Sequence, residues 1–246
     1  SFVERAILLA AIGAAGCLHA PAAAQRSASV ALTGLIRDTK DLDANVPTPE
    51  SVLGHAIGDR PARYEPMVRY LQALAEASPL VKLTQSAQTH EGRAIYYLTI
   101  SSEANIANVD RIKLDNAKLA DPRKLASAEE GDRIADALLG VAWLAYSIHG
   151  DELSSTDAAL QVAYWLIAGT DDATRKLRDE LVVHIDPLMN PDGRERYLGQ
   201  LQHLQGKIPN TDFQGMQHGG LWSAGRGNHY LFDLNRDWLP QVHPET

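Results

Sequence analysis

The sequence predicts an α/β fold in which a mixed central β-sheet is flanked by helices. Three observations carry this reading. Strand-like and helix-like segments alternate along the chain, the order that lays helices against a sheet. Leu80 to Gln88 and Ala94 to Ser101 flank the turn Glu91-Gly92-Arg93 and read as a β-hairpin. The apolar run Leu139 to Ile148 reads as a buried central strand, followed by Ser154-Ser155-Thr156 and a helical pattern.

The remaining elements follow from spacing. Tyr64, Met67, Val68, Leu71, Leu74 and Ala75 recur at helical intervals, so Ala62 to Ala77 is expected to be an amphipathic helix. Asn105 to Leu119 is expected to be helical, and Asp121 to Asp132 a charged loop. Thr156 to Ala168 reads as a helix capped by Ser154 or Ser155. Thr170 to Asp179 reads as a short charged helix and Leu181 to Asp186 as a strand. Asn190-Pro191-Asp192-Gly193 reads as a turn, and Arg194 to Leu204 as helical. Gly206 to Gly227 reads as a long loop, and Tyr230 to Leu234 as a short strand.

The chain has 246 residues and begins at Ser1, which reads as a fragment or a trimmed record. Arg5, the apolar run Ala6 to Gly16 and the exit Ala22-Ala23-Ala24 are the parts of a secretory signal peptide, with cleavage expected after Ala24. This divides the chain into a signal peptide (1–24), an extended polar leader (25–59) and a catalytic-domain portion (60–246), and it implies a secreted or periplasmic protein. The apolar run is too short to span a bilayer, and no other segment suits a membrane helix. Cys17 is the only cysteine and lies within the expected signal. The remainder can use neither disulfides, thiolate metal ligands nor a thiol nucleophile. A net charge of −8 without a basic block argues against nucleic-acid binding.

The chemistry-bearing residues cluster in two places. His149-Gly150-Asp151-Glu152 lies where the strand Leu139 to Ile148 turns into the next helix, and strand C-termini are where open α/β sheets place their sites. An imidazole and a carboxylate three residues apart can converge on one metal ion, and Zn²⁺ favours such mixed nitrogen and oxygen ligands. The plain alternative is a surface histidine beside a glutamate drawn to the first helical turn by the helix dipole. The second cluster is Phe232-Asp233-Leu234-Asn235-Arg236-Asp237-Trp238. On a strand, Asp233 and Asn235 would share one side. Asp233 suits the carboxylate that accepts the second ring N–H of a zinc-bound histidine. Arg236 suits a bidentate pair with a carboxylate. The alternative here is an ordinary surface salt-bridge cluster.

Five segments in order resemble the zinc carboxypeptidases of the carboxypeptidase A/B type, and most of all their secreted bacterial branch. They are Glu91-Gly92-Arg93-Ala94-Ile95, His149-Gly150-Asp151-Glu152, Asn190-Pro191-Asp192-Gly193, Asp233 to Trp238, and Pro244-Glu245-Thr246. The resemblance spans about 60 to 246. It implies a zinc-dependent removal of C-terminal residues from peptides or cell-wall peptides. By this resemblance His149 and Glu152 match two zinc ligands, and Asp233 the carboxylate that orients the histidine. Asn235 and Arg236 match the pair that grips the substrate's terminal carboxylate. Arg226 is the candidate for the arginine that polarises the scissile carbonyl. The family also uses a third ligand histidine, a tyrosine and a glutamate base downstream, which are expected beyond Thr246. His243 stands in the Pro-Glu-Thr segment, where no ligand is expected. Asp151 stands where the animal enzymes often carry a substrate-contacting arginine. The other readings are an N-acyl amino acid deacylase, which shares the His-Gly-x-Glu pair, and a catalytically inactive binding relative.

Overall fold

The computed structural model describes residues 41–246, apart from 207, 209 and 217–224. Eight α-helices are described: α1 (Pro49–Leu53), α2 (Tyr64–Ala77), α3 (Glu103–Ala107), α4 (Val109–Ala120), α5 (Ala128–Ala137), α6 (Leu153–Ala168), α7 (Asp172–Glu180) and α8 (Pro191–Leu204). The strands are β1 (Val81–Gln88), β2 (Ala94–Ile100), β3 (Gly140–Ala145) and β4 (Leu181–Asp186), arranged β1-β2-β4-β3. β1 and β2 pair antiparallel, as do β2 and β4, while β3 and β4 run parallel. The mixed sheet flanked by helices is therefore the observed architecture.

Side-chain alternation sorts the two faces of the sheet. Val81, Leu98, Ile100, Val183 and Ile185 join Tyr70, Leu71 and Leu74 of α2 and Leu160, Ala163 and Ile167 of α6 in one buried cluster. Each large side chain in it contributes about 1.5–3 kcal/mol through loss of water contact. The alternate residues Thr84, Tyr97, His184 and Trp143 face the other way. With Ile112 of α4 they line an open groove of about 640 Å³ that does not include His149 or Asp233. His184 sits there, half-buried, with Nδ1 3.0 Å from the Thr99 hydroxyl.

Several local expectations are corrected. The run read as a buried central strand is an edge strand among the described residues: Trp143 is 55% and Val141 47% exposed. Its apolar character reports affinity for a covering surface, and only one face of β3 is covered by core. Asn108 leaves helical geometry and divides the segment read as one helix into α3 and α4. The charged loop contains a 3-10 turn (Pro122–Lys124) and the first half of α5, capped by the Ser127 hydroxyl. Glu152, not Ser154 or Ser155, precedes the first residue of α6, and its side chain makes no cap bond. Asn190 to Gly193 is the start of α8 rather than a free turn, with Asn190 capping and Pro191 at the first helical position. Tyr230 to Leu234 is not a strand; Leu234–Arg236 is a 3-10 turn. Within the segment read as an extended leader, Val46 is buried and α1 is helical. The expected signal peptide lies outside the described residues.

α8 ties the layers together. Its Glu195 accepts from the Tyr64 backbone N–H at 2.8 Å and from Arg63, so it caps α2 from outside. Its Arg194 is wholly buried; it donates to Ala62 O (2.9 Å) and Leu153 O (3.1 Å) and lies 3.6 Å from Asp157. Asp157 in turn accepts from the Ala62 N–H. Burial pushes the Asp157 carboxyl up and the Arg194 guanidinium down. Removing either partner leaves an uncompensated buried charge. Arg194→Ala is expected to cost about 3–5 kcal/mol in denaturant unfolding.

Asp186 is almost fully buried at the end of β4, and burial pushes its carboxyl up to about 7, against a lowering contribution from the Leu188 N–H. The folded protein therefore holds this proton where the unfolded chain has lost it, and this contribution to stability declines as pH rises from about 4 to about 7. Asp186→Asn is expected to match the wild type near pH 4. At pH 8 it should be more stable by about 2–4 kcal/mol, measured by urea unfolding at both pH values.

Candidate active site

The site begins where β3 ends. Tyr146 N–H donates to Asp186 O (2.9 Å), and the N–H groups of Met189 and Asn190 donate to the carbonyls of Tyr146 and Ser147. Ser147 then adopts a left-handed backbone with φ 54°, uncommon for a residue with a β-carbon. Its hydroxyl accepts from Thr156 (3.0 Å) and lies 3.3 Å from Glu152 O, which holds this sharp turn against the first turns of α6. His149 projects from the turn and is buried, while Glu152 stays exposed.

The His149 ring is held from both sides. Nε2 lies 2.9 Å from Asp233 Oδ1 and Nδ1 lies 2.8 Å from Glu152 Oε1. Arg226 places Nε and Nη2 on Asp233 Oδ2 at 3.1 and 2.9 Å, and its Nη1 lies 3.5 Å from His149 Nδ1. Partial burial would raise the Asp233 carboxyl, but the hydrogen bonds from His149 and Arg226 outweigh it and hold the carboxyl below its usual range. Asp233 thus stays anionic and fixes one ring nitrogen. The other nitrogen faces a carboxylate oxygen.

Three backbone segments meet beneath this group at glycines. A Cβ on Gly150 would lie 2.1 Å from Arg194 N, and one on Gly193 would lie 2.4 Å from Gly225 O. Gly150 N–H donates to Gly225 O at 2.8 Å. The fully buried Asn190 ties the same segments: Oδ1 accepts from Gly193 N–H, and Nδ2 donates to both Ile148 O and Arg226 O. One amide therefore sets the spacing between the His149 turn and the Arg226 loop. Arg196 of α8 adds bonds to Gly227 O and Asn228 O. Buried Asp192 accepts from Thr89, from the Glu91 N–H and from Arg93, which docks the hairpin turn on α8. Arg93 also pairs with Glu91, whose Oε1 lies 2.7 Å from His229 Nδ1.

Of the residues singled out from sequence, His149, Glu152, Asp233 and Arg226 converge. The side chains of Asn235 and Arg236 do not join that cluster through any direct bond among the described residues. Asn235 N–H donates to Asp233 Oδ1 (3.0 Å), and its side-chain oxygen accepts from Trp238 Nε1 (2.7 Å). Arg236 is exposed, and its Nη1 donates to Asn235 O. The arginine paired with the Asp233 carboxylate is Arg226, while the 3-10 turn leaves Arg236 exposed. The sequence reading takes Asn190 and Asp192 only as part of a turn and of the resemblance, without a role of their own, and does not single out Arg194. The Asn-Pro pair held their signal, since a capping asparagine followed by proline marks a helix start.

A zinc carboxypeptidase family model matches residues 67–245. The chain belongs to the zinc carboxypeptidase family. Solved structures similar to it include carboxypeptidase A from Helicoverpa armigera, at 21% identity, covering 61% of this chain and 32% of that one, with a TM-score of 0.42. A metallo-carboxypeptidase from Burkholderia cenocepacia shows 21% identity, 75% and 36% coverage, and a TM-score of 0.42. A metallo-carboxypeptidase from Pseudomonas aeruginosa, in complex with (2-guanidinoethylmercapto)succinic acid, shows 19% identity, 75% and 35% coverage, and a TM-score of 0.40. The chain therefore spans about a third of the length of these structures. No match was found among curated protein sequences. Among the described residues, no helix is long and apolar enough to cross a membrane.

Two glycine substitutions separate packing from propensity in this family member. Gly150→Ala drives a methyl into the α8 backbone and is expected to cost on the order of 4 kcal/mol or prevent folding. Gly199, inside α8, has nothing within 4 Å of its virtual Cβ. Gly199→Ala is expected to stabilise by about 0.5–1 kcal/mol. Thermal melts of the two variants check the contrast.

Proposed function

We propose that this chain contributes the metal-binding turn and the substrate-anchoring loop of a secreted or periplasmic zinc carboxypeptidase that removes C-terminal residues from peptides. The observation that carries the reading is the His149 ring, with Nε2 on Asp233 and Nδ1 facing Glu152 at 2.8 Å. A histidine that binds zinc through one nitrogen commonly donates the other N–H to a carboxylate. The donor set therefore fits zinc, with His149 Nδ1 and a Glu152 oxygen as two ligands. Bound zinc would polarise the scissile carbonyl and lower the pKa of its water to about 7.

The protein's own groups have separable tasks. Asp233 keeps the proton on Nε2, so the Nδ1 lone pair points toward Glu152. Arg226 neutralises Asp233 and extends Nη1 toward the same space, where it can stabilise an oxyanion. The bond from Trp238 occupies the Asn235 oxygen, so that amide presents its NH₂ as a donor. Arg236, exposed beside it, supplies a cation. Together they suit a free terminal carboxylate, and alignment through that group explains why the cut would fall at the last peptide bond. Secretion rests on the signal-like residues 1–24. Free peptides and cell-wall peptides are both compatible substrates, and parallel digestion of the two separates them.

Asp233→Asn is expected to lower zinc affinity by about 10–100-fold, and His149→Ala to abolish binding at this pair. Isothermal titration measures both. In the protein carrying this domain, Arg236→Gln is expected to lower kcat/KM for a peptide with a free C-terminus by roughly 10–100-fold. That corresponds to a lost charge-assisted bond of about 1.5–3 kcal/mol. Cleavage of the C-terminally amidated peptide should not change. An equal loss on both peptides would overturn the carboxylate-gripping role.

A further inference from the structure

A second group of metal-ligating side chains lies between the hairpin turn and the last residues of the chain. His90, in the turn after β1, comes together with His243 and Glu245 so that one donor atom from each lies within 4.8 Å of the others. His90 Nε2 is 3.5 Å from His243 Nδ1 and 3.8 Å from Glu245 Oε2. Ligands of a tetrahedral zinc ion with bonds of about 2.0–2.1 Å lie roughly 3.3 Å apart, so the two His90 separations need a few tenths of an ångström of contraction, and His243 and Glu245, within 4.8 Å of each other, must close further.

Two independent features say that these groups are prepared for a cation. The Glu245 side chain is 1% exposed, and neither carboxylate oxygen has a hydrogen-bond partner among the described residues. An unpaired buried carboxylate is costly, and buried charges are normally paired or coordinated to metals. The second feature is the tautomer of His243. Asn228 is fully buried and its Oδ1 accepts from the N–H groups of Tyr230 and Phe232, so its Nδ2–H₂ faces His243 Nδ1 at 3.4 Å. That nitrogen is thereby kept unprotonated, and a metal would take its one lone pair in place of this long bond from Asn228. The rings are held by packing, His90 edge-on to Tyr230 and His243 against Phe232. Asp237 accepts from the backbone N–H groups of Val242 and His243 and holds the loop that presents both downstream ligands.

We propose that His90, His243 and Glu245 form a second divalent-metal site, suited to Zn²⁺ by its two imidazoles and one carboxylate. The exposed side of His90 leaves a further coordination position for water. A metal there would clip the 237–246 loop to the β1–β2 turn. The proposal does not depend on the role assigned to His149 and Glu152.

The test is zinc binding to the 246-residue chain by equilibrium dialysis with elemental analysis, paired with thermal melts. His149→Ala is expected to retain one zinc per chain and a melting temperature raised by zinc. His149→Ala/His90→Ala should lose that zinc by more than 100-fold in affinity and lose the thermal shift, since removing a ligand exceeds the 10–100-fold effect of removing a supporting residue. His90 is exposed, so this variant is expected to fold, which circular dichroism checks. Glu245→Gln in the His149→Ala background should behave likewise. Cobalt substitution of the His149→Ala chain should give the visible absorption of a tetrahedral site. Zinc retained by the double variant, or no zinc bound by the His149→Ala chain, would overturn the proposal.

Discussion

The arrangement depends on the close stacking of three backbone segments at Gly150, Gly193 and Gly225. Side chains are absent at the contacts because no β-carbon fits there. With the backbones this near, one asparagine can bond across the stack, and Asn190 reaches both Ile148 O and Arg226 O. His149 leaves the stack one residue after the anchored Ile148, and Arg226 at the anchored residue itself. Their separation is therefore inherited from main-chain packing rather than from flexible side chains. The buried Asp192 and Arg194, on the following turn of α8, extend the same anchorage to the hairpin and to α2.

Electrostatics then decides what the ring can do. His149 is buried between two carboxylates of different character. Asp233 is tied to Arg226 and remains anionic, and it serves as a fixed acceptor for Nε2. Glu152 is exposed and, among the described residues, pairs with no arginine. One carboxylate thus orients the imidazole and the other stays available as a donor to whatever Nδ1 meets. The asymmetry follows from position: Asp233 lies in a loop that Arg226 brackets, and Glu152 precedes a helix whose N-terminal dipole favours an acidic group.

Much of this was legible in the residues. The hairpin around Gly92 and the strands and helices with clean periodicity appear close to their expected limits. The pairing of His149 with Glu152 rests on local spacing at a strand end, and local spacing is what a sequence displays directly. Three kinds of feature were hidden. The position of β3 at the edge was concealed because a run such as Val141 to Leu144 reports apolarity, not which neighbour covers it. The 3-10 turn at Leu234 was concealed because Phe232 to Leu234 alternates over too few residues to separate a strand from a turn. The partnerships of Arg194 and Asp192 and the burial of Glu245 were concealed because each arises from segments remote in sequence, and nothing local marks a charged residue that will be buried.

The distances along the chain have a kinetic meaning. His149 meets Asp233 across 84 residues, Asp192 meets Thr89 across 103, and Glu195 meets Arg63 across 132. Closing loops of such length costs entropy before any contact rewards it, so folds dominated by distant pairings assemble slowly. The hairpin and the individual helices can form early from neighbours in sequence. The imidazole can meet Glu152 three residues away early, but it acquires Asp233 only after the loop that carries it has docked, so the doubly flanked ring belongs to the late steps of folding.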